Sequence, residues 1–202
     1  LLVLAVALAP APVLARGRHI LWTVQGKQNT VYLLGSIHVL RAGDVALSDV
    51  AERAYADAER LVMEIDLDDP AESDPMAMLD VVQRLAMLPE GQSLRGILGS
   101  DYASLNQRAQ QAGVDLALFD RFAPWMVATT LLQIELTKRG FSPELGIEQV
   151  LARRAAGDGK PIQGLETSVQ QLGILAGMPM PMQKHFLRMT LDESAQLDQE
   201  IG

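Results

Sequence analysis

The stretch Thr30-Val31-Tyr32-Leu33-Leu34-Gly35-Ser36-Ile37-His38 constrains this chain more than any other. Val31 to Leu34 are strand formers without charge or proline, and a continuous apolar run suits a strand covered on both faces. Gly35 ends the run. A glycine just past a buried strand permits a close backbone approach, so the next side chains turn into a crevice at the strand's carboxyl end. His38 then stands at the mouth of that crevice. A lone Gly-x-x-His more often marks a half-buried histidine that only makes a hydrogen bond.

A second run, Arg60-Leu61-Val62-Met63-Glu64-Ile65-Asp66, also reads as a buried strand, with the carboxylate of Glu64 inside it. Burying an unpaired carboxylate is costly, so Glu64 requires a cation, a metal or strong donors nearby. Two readings stand side by side. Glu64 serves a site together with His38, or it has an arginine partner or solvent access at the strand end.

The chain has 202 residues, enough for one domain with a substantial core. Its formal net charge of −8 and sequence pI near 4.8 disfavour nucleic-acid or anionic-membrane binding, since both reward a basic surface. It contains no cysteine, which excludes disulfides and thiolate chemistry. Any metal site must therefore be built from histidine and carboxylates.

Residues 1–15 are an apolar run that ends in Val13-Leu14-Ala15 and is followed by Arg16-Gly17-Arg18. The pattern is that of the end of a secretory signal with a small-residue cleavage site, which directs the protein to the periplasm or outside the cell. Two prolines and a length below a bilayer span argue against a stable membrane span. Residues 16–202 are then one domain.

Within that domain, His19–Val24 and Thr30–Leu34 are two strand-like runs joined by Gln25-Gly26-Lys27-Gln28-Asn29, which predicts a β-hairpin. Ser48 can cap a helix that places Val50, Ala54 and Ala58 on one face ahead of the Glu64 strand. That strand–helix–strand order is long enough for a parallel crossover. Asp66, Asp68 and Asp69 lack the glycine and distal glutamate of a calcium loop and read as a solvated turn. Helical patterns follow over residues 76–87, 94–98 and 100–111. Another, over residues 125–139, is apolar on nearly all sides, and a fifth covers residues 147–156 and closes at Gly157. Lys160–Glu166 reads as a short strand ending in a carboxylate, and Thr167 with Gln170 forms a capping box. Glu166 thus sits just ahead of a helix N-terminus, where it either complements the helix dipole or serves a site. Met182, Phe186 and Met189 fall at helical spacing and read as core, which outweighs a thioether copper site at Met178-Pro179-Met180-Pro181-Met182. His185 reads as a partly exposed helix histidine, and Arg153 and Arg154 as a solvated face.

The hairpin with Trp22, Leu33-Leu34-Gly35-Ser36-Ile37-His38, Leu61-Val62-Met63-Glu64-Ile65-Asp66, Pro124-Trp125, Gly146-Ile147-Glu148 and Gly164-Leu165-Glu166 occur in the order seen in the TraB/GumN (PrgY-like) family. The chain resembles that family over roughly residues 20–190. The family is related to the Tiki metalloproteases and, more distantly, to the erythromycin esterases and the ChaN haem-binding lipoproteins. The resemblance implies an α/β fold, with an N-terminal β-hairpin leading into a mixed sheet, flanking helices and a helical middle section. It also implies a metal-dependent, peptidase-like hydrolase of the cell envelope. His38 would be a metal ligand, Glu64 a ligand or general base, and Glu166 a catalytic residue lining the same pocket. The ion would be divalent: zinc, manganese or cobalt. The substrate would be a peptide or a small molecule. The alternative is a non-catalytic envelope protein that holds a peptide or a haem-like ligand in the same crevice.

Two departures from the family pattern stand out. Glu148 occupies a position where the family commonly has Asp, and no second Gly-x-x-His follows His38. The resemblance therefore implies a chain incomplete at its C-terminus that carries half a site and is inactive by itself. In geometry, His38, Glu64 and Glu166 are expected at the carboxyl ends of strands along one edge of a common sheet.

Overall fold

The N-terminal hairpin forms because two runs of β-branched, aromatic and leucine residues flank a turn in which the Gly26 N–H donates to the Asn29 carbonyl at 2.8 Å. Strand β1 (Leu21–Gln25) pairs antiparallel with β2 (Thr30–Leu34), with Trp22 opposite Leu33 and Val24 opposite Val31. These values come from a computed structural model that describes residues 20–44, 47–66, 68–72 and 74–201, with side chains described as far as residue 193. The expected signal segment at residues 1–15, and His19 at the start of the expected first strand, lie outside the described residues. The described residues form two compact units, one up to Ser36 with Leu47–Ala58, the other Ile37–Ala46 with Glu59 onward.

The first unit holds the hairpin and helix α1 (Asp49–Asp57). The Ser48 hydroxyl caps α1 by accepting from the Ala51 N–H, and Asp49 and Glu52 in its first turn complement the dipole. Ala54 is buried and Val50 and Ala58 are half-buried, as the helical spacing predicts. The Tyr32 hydroxyl donates to the Asp57 carboxylate at 2.7 Å, tying strand to helix. The expectation that β2 is covered on both faces is corrected here. Residues directly opposite in an antiparallel pair share a face, and the face formed by Trp22, Val24, Val31 and Leu33 is exposed. An unbroken apolar run does not by itself reveal whether both faces are covered.

The second unit contains β3 (Leu40–Arg41), β4 (Leu61–Met63), α2 (Pro75–Ala86), α3 (Leu94–Leu98), α4 (Tyr102–Gln111), α5 (Pro124–Lys138), β5 (Phe141–Ser142), α6 (Ile147–Asp158), β6 (Ile162–Gly164), α7 (Ser168–Ala176) and α8 (Met180–Ile201). Its main core lies among α3, α4, α5 and α8, where Leu94, Leu98, Leu105, Leu116, Val127, Leu131, Leu187 and Leu191 are buried together. Trp125 anchors a second cluster with Ala86, Leu88 and Ala123, onto which Leu172 and Leu175 of α7 pack. Burying a side chain the size of leucine or tryptophan contributes about 1.5–3 kcal/mol each, so these clusters dominate the unit's stability. No helix among the described residues is long and apolar enough to cross a membrane.

The chain is a mixed α/β protein with an N-terminal antiparallel hairpin and a largely helical body, as expected. Its strands, however, form three two-stranded ladders among the described residues. These are β1 with β2 and β3 with β5, both antiparallel, and β4 with β6, parallel. The expected crossover from β2 through α1 to β4 is therefore not a strand pair. The partner of β4 is β6, roughly a hundred residues later, and that connection satisfies the length a parallel pair requires. Helix α6 runs past the expected stop at Gly157 and closes at Gly159, whose φ of 66° is the left-handed conformation of a helix cap. Among the described side chains of α8 the buried ones are Gln183, Leu187, Thr190 and Leu191, with Phe186 partly buried, whereas Met182 and Met189 are 54% and 44% exposed. The expected methionine core is thus one position out of register. Gln183 tolerates burial because its Nε2 donates to the carbonyls of Ala176 and Met178, groups left open at the end of α7.

Candidate functional site

His38 lies in the segment before β3 and is fixed to the start of α6 by three consecutive residues. The Ile147 N–H donates to the Ile37 carbonyl at 2.9 Å, and Gly146 packs against the His38 carbonyl. A Cβ added at Gly146 would sit 2.2 Å from the His38 oxygen and 2.7 Å from its carbonyl carbon, so only glycine fits there. The third residue, Glu148 in the first turn of α6, approaches the imidazole directly, with His38 Nδ1 2.9 Å from Glu148 Oε1. The His38 side chain is 70% exposed and that of Glu148 is 21% exposed. The imidazole is thereby anchored on one nitrogen and open to solvent over most of its surface.

Glu64 and Glu166 come together by a different route. β4 and β6 run parallel in the register Leu61–Ile162, Val62–Gln163 and Met63–Gly164, so the residues that follow each strand leave the ladder at the same edge. The Leu165 N–H reaches the Met63 carbonyl at 2.9 Å and the Glu166 N–H reaches the Glu64 carbonyl at 2.9 Å. Gly164 permits this closeness, because a Cβ there would meet the Asp66 backbone nitrogen at 2.9 Å. Gln171, one turn into α7, donates through Nε2 to Glu64 Oε2 at 3.2 Å and to Glu166 Oε1 at 3.4 Å. Two carboxylates separated by a hundred residues of sequence thus share one amide donor. When ionised they are acceptors only, so the cluster is suited to binding donors or a cation and to taking up a proton.

Glu64 is not buried. It is exposed just past the end of β4, and its partner is the neutral amide of Gln171 rather than an arginine. Glu166 is half-buried immediately ahead of α7, whose N-cap Thr167 and Gln170 form the expected capping box. Of the three residues expected along one sheet edge, Glu64 and Glu166 share the edge of the β4–β6 ladder. His38 follows β2, which belongs to the hairpin ladder. The sequence reading missed Gln171, a polar residue on an otherwise ordinary helix turn, and treated Glu148 only as a variation on a family position. The glycine at 146, one residue ahead of an apolar helix start, was the available signal for the His38 contact.

No group of three or more His, Asp or Glu side chains placed to hold a metal ion occurs among the described residues. Asp66, Asp68 and Asp69 form the expected solvated turn, with Asp66 accepting from the Asp68 N–H and Asp69 from the Ala71 N–H. They line an open depression of about 480 Å³ with Lys160. His185 is exposed on α8. Arg153 donates to the Glu144 carbonyl at 2.8 Å.

The sequence profile of the TraB/PrgY/gumN family matches residues 20–201, a span that includes His38, Glu64, Glu148 and Glu166. The chain belongs to this family. It is 25% identical over 169 residues to the uncharacterized protein YbaP of Shigella flexneri and, to the same extent, to YbaP of Escherichia coli strain K12; each match covers 81% of this chain and 60% of the relative. An uncharacterized protein of Treponema pallidum strain Nichols is 24% identical over 165 residues, covering 77% of this chain and 46% of that protein. The chain therefore spans less than two thirds of the length of these relatives. No solved structure matches it.

Proposed function

We propose that this chain carries part of the site of a metal-dependent hydrolase of the cell envelope, acting on a peptide or a related carbonyl substrate. The observation that carries the reading is the convergence of Glu64 and Glu166 on Gln171 at the carboxyl ends of two parallel strands. Open α/β sheets bind ligands at that edge. A pair of carboxylates there, held by a shared donor, is suited to acid–base work on a bound substrate.

The donors present fit a divalent ion in type, being one imidazole and carboxylates. His38 and Glu64 are the residues that would hold it. Such an ion, when bound, supplies Lewis acidity toward a carbonyl oxygen and makes water more acidic. The protein's own part is to accept the proton of the attacking water, to return it to the leaving amine, and to orient the substrate. Glu166 is assigned the proton transfers, and Gln171 keeps it facing Glu64. Because the chain spans about 60% of the YbaP relatives, the activity of the whole protein belongs to the proposal rather than to these residues alone. The envelope location rests on the apolar run at residues 1–15.

The test is cleavage of a peptide library by the protein at its full natural length, with and without added zinc, manganese or cobalt, alongside Glu64→Gln and Glu166→Gln variants. Metal-dependent cleavage that both substitutions reduce by a factor of about a hundred supports the reading. Retention of a peptide or of haem with no turnover under any metal would replace it with a non-catalytic binding protein.

A further inference from the structure

We propose that Glu148 is the positioning residue for His38: its carboxylate holds the proton on Nδ1 and presents Nε2 as the imidazole's free lone pair. The inference rests on the reading of His38 as a ligand and extends it to a residue of α6.

Three contacts in a row carry it. Gly146 against the His38 carbonyl fixes the backbone, and the Ile147 N–H on the Ile37 carbonyl fixes the register. Glu148 Oε1 at 2.9 Å from Nδ1 then fixes the ring. A carboxylate only accepts, so the nitrogen facing it bears the hydrogen, and in a neutral imidazole the other nitrogen must carry the lone pair. A ligating histidine almost always donates its other ring N–H to a carboxylate, a backbone carbonyl or water, and here Glu148 supplies the carboxylate. The exposures agree with such a division. Glu148 is mostly covered and therefore held, while the imidazole is 70% exposed and open to a ligand on its far side. The backbone contacts set the separation between α6 and residue 38, which brings the Glu148 carboxylate within reach of Nδ1.

The tautomer is read by long-range ¹H–¹⁵N correlation on labelled protein at about pH 9, well above the ordinary imidazole pKa. The His38 signals are assigned by their loss in His38→Ala. Wild type is expected as the Nδ1–H form. Glu148→Ala should move the ring mainly to Nε2–H, the form a free imidazole side chain prefers. Glu148→Gln, which keeps shape and offers either an oxygen or an amide to Nδ1, should give a mixture and guards against loss of folding in the alanine variant.

Zinc affinity by calorimetry is the second readout, expected to fall roughly 10–100-fold in Glu148→Ala and less in Glu148→Gln. An Nδ1–H tautomer that persists in Glu148→Ala overturns the proposal. So does a switched tautomer with unchanged zinc affinity in a protein whose His38→Ala variant has lost the ion. Zinc affinity that survives His38→Ala overturns the metal reading instead, and the tautomer measurement then decides the role of Glu148 by itself.

Discussion

Replacing Gly146 with alanine tests the contact between α6 and His38 most severely. The backbone at Gly146 has φ −58° and ψ 152°, which alanine adopts without strain, so the penalty is steric rather than conformational. The new Cβ would lie 2.2 Å from the His38 oxygen, 2.7 Å from the His38 carbonyl carbon and 3.0 Å from the Pro143 oxygen. All three are backbone atoms that no rotamer change can move. Relief requires the segment carrying His38 to shift, at a cost of about 1–3 kcal/mol for overpacking. The hydrogen bond from Ile147 to Ile37 is lost with it, worth about 1 kcal/mol. Alanine in place of glycine at an N-cap adds roughly 0.5–1 kcal/mol. The lower entropy of the unfolded alanine chain offsets about 0.4–1 kcal/mol. The net expectation is a destabilisation of about 2–4 kcal/mol. Urea unfolding followed by Trp125 fluorescence in a Trp22→Phe background reports on the second unit. Gly157→Ala is the control, since that glycine is helical and has nothing within 4 Å of its added Cβ. It should stabilise by about 0.5–1 kcal/mol. A Gly146→Ala protein within about 0.5 kcal/mol of wild type would refute the contact.

The buried face of α8 predicts that Leu187→Ala costs about 2–5 kcal/mol while Met182→Ala and Met189→Ala stay within about 0.5 kcal/mol, measured by the same unfolding assay. The reverse ranking would restore the methionine stripe as core. The hydrogen bond to Asp57, with lesser contributions from burial and from the Asp57 charge, raises the Tyr32 pKa above its ordinary 10.0. Because the folded state holds that proton more tightly, the associated stability is full below the unfolded pKa and is lost as pH rises through the folded one. Tyrosinate absorbance of wild type minus Tyr32→Phe should therefore show a late titration that Asp57→Asn brings back toward the ordinary value. Identical curves in Asp57→Asn and wild type would remove Asp57 as the cause.

Local chemistry made the helices and the two carboxylates legible. Proline at the start of α2 and α5, serine at the N-caps of α1 and α3, and the Thr167–Gln170 box all act within one turn, so sequence spacing alone reveals them. Glu64 and Glu166 were visible because each closes an apolar run. Their proximity was not, because strand pairing is set by the whole fold. An apolar triplet such as Leu61–Met63 carries no mark of whether its partner is β2 or β6. Burial of Glu64 failed as an expectation because the strand ends one residue earlier and frees the carboxylate. The register of α8 failed for a related reason. Buried Gln183 is paired by carbonyls of another helix, and a hydrophobic pattern places such a residue on the surface. The contact of Glu148 with His38 joins residues 110 positions apart, and only Gly146 hinted at it.

Metal titration decides the central claim. Zinc and manganese binding should be measured by calorimetry for the protein at its full natural length and for its His38→Ala and Glu64→Gln variants, with peptide hydrolysis followed in parallel. A catalytic ion takes three protein ligands and an open position. On the proposed reading, His38 and Glu64 would supply two of them. Each substitution should weaken binding by at least about tenfold, or 1.4 kcal/mol, and abolish cleavage. Equal affinity and equal turnover in all three proteins would contradict the assignment of His38 and Glu64 to a metal site.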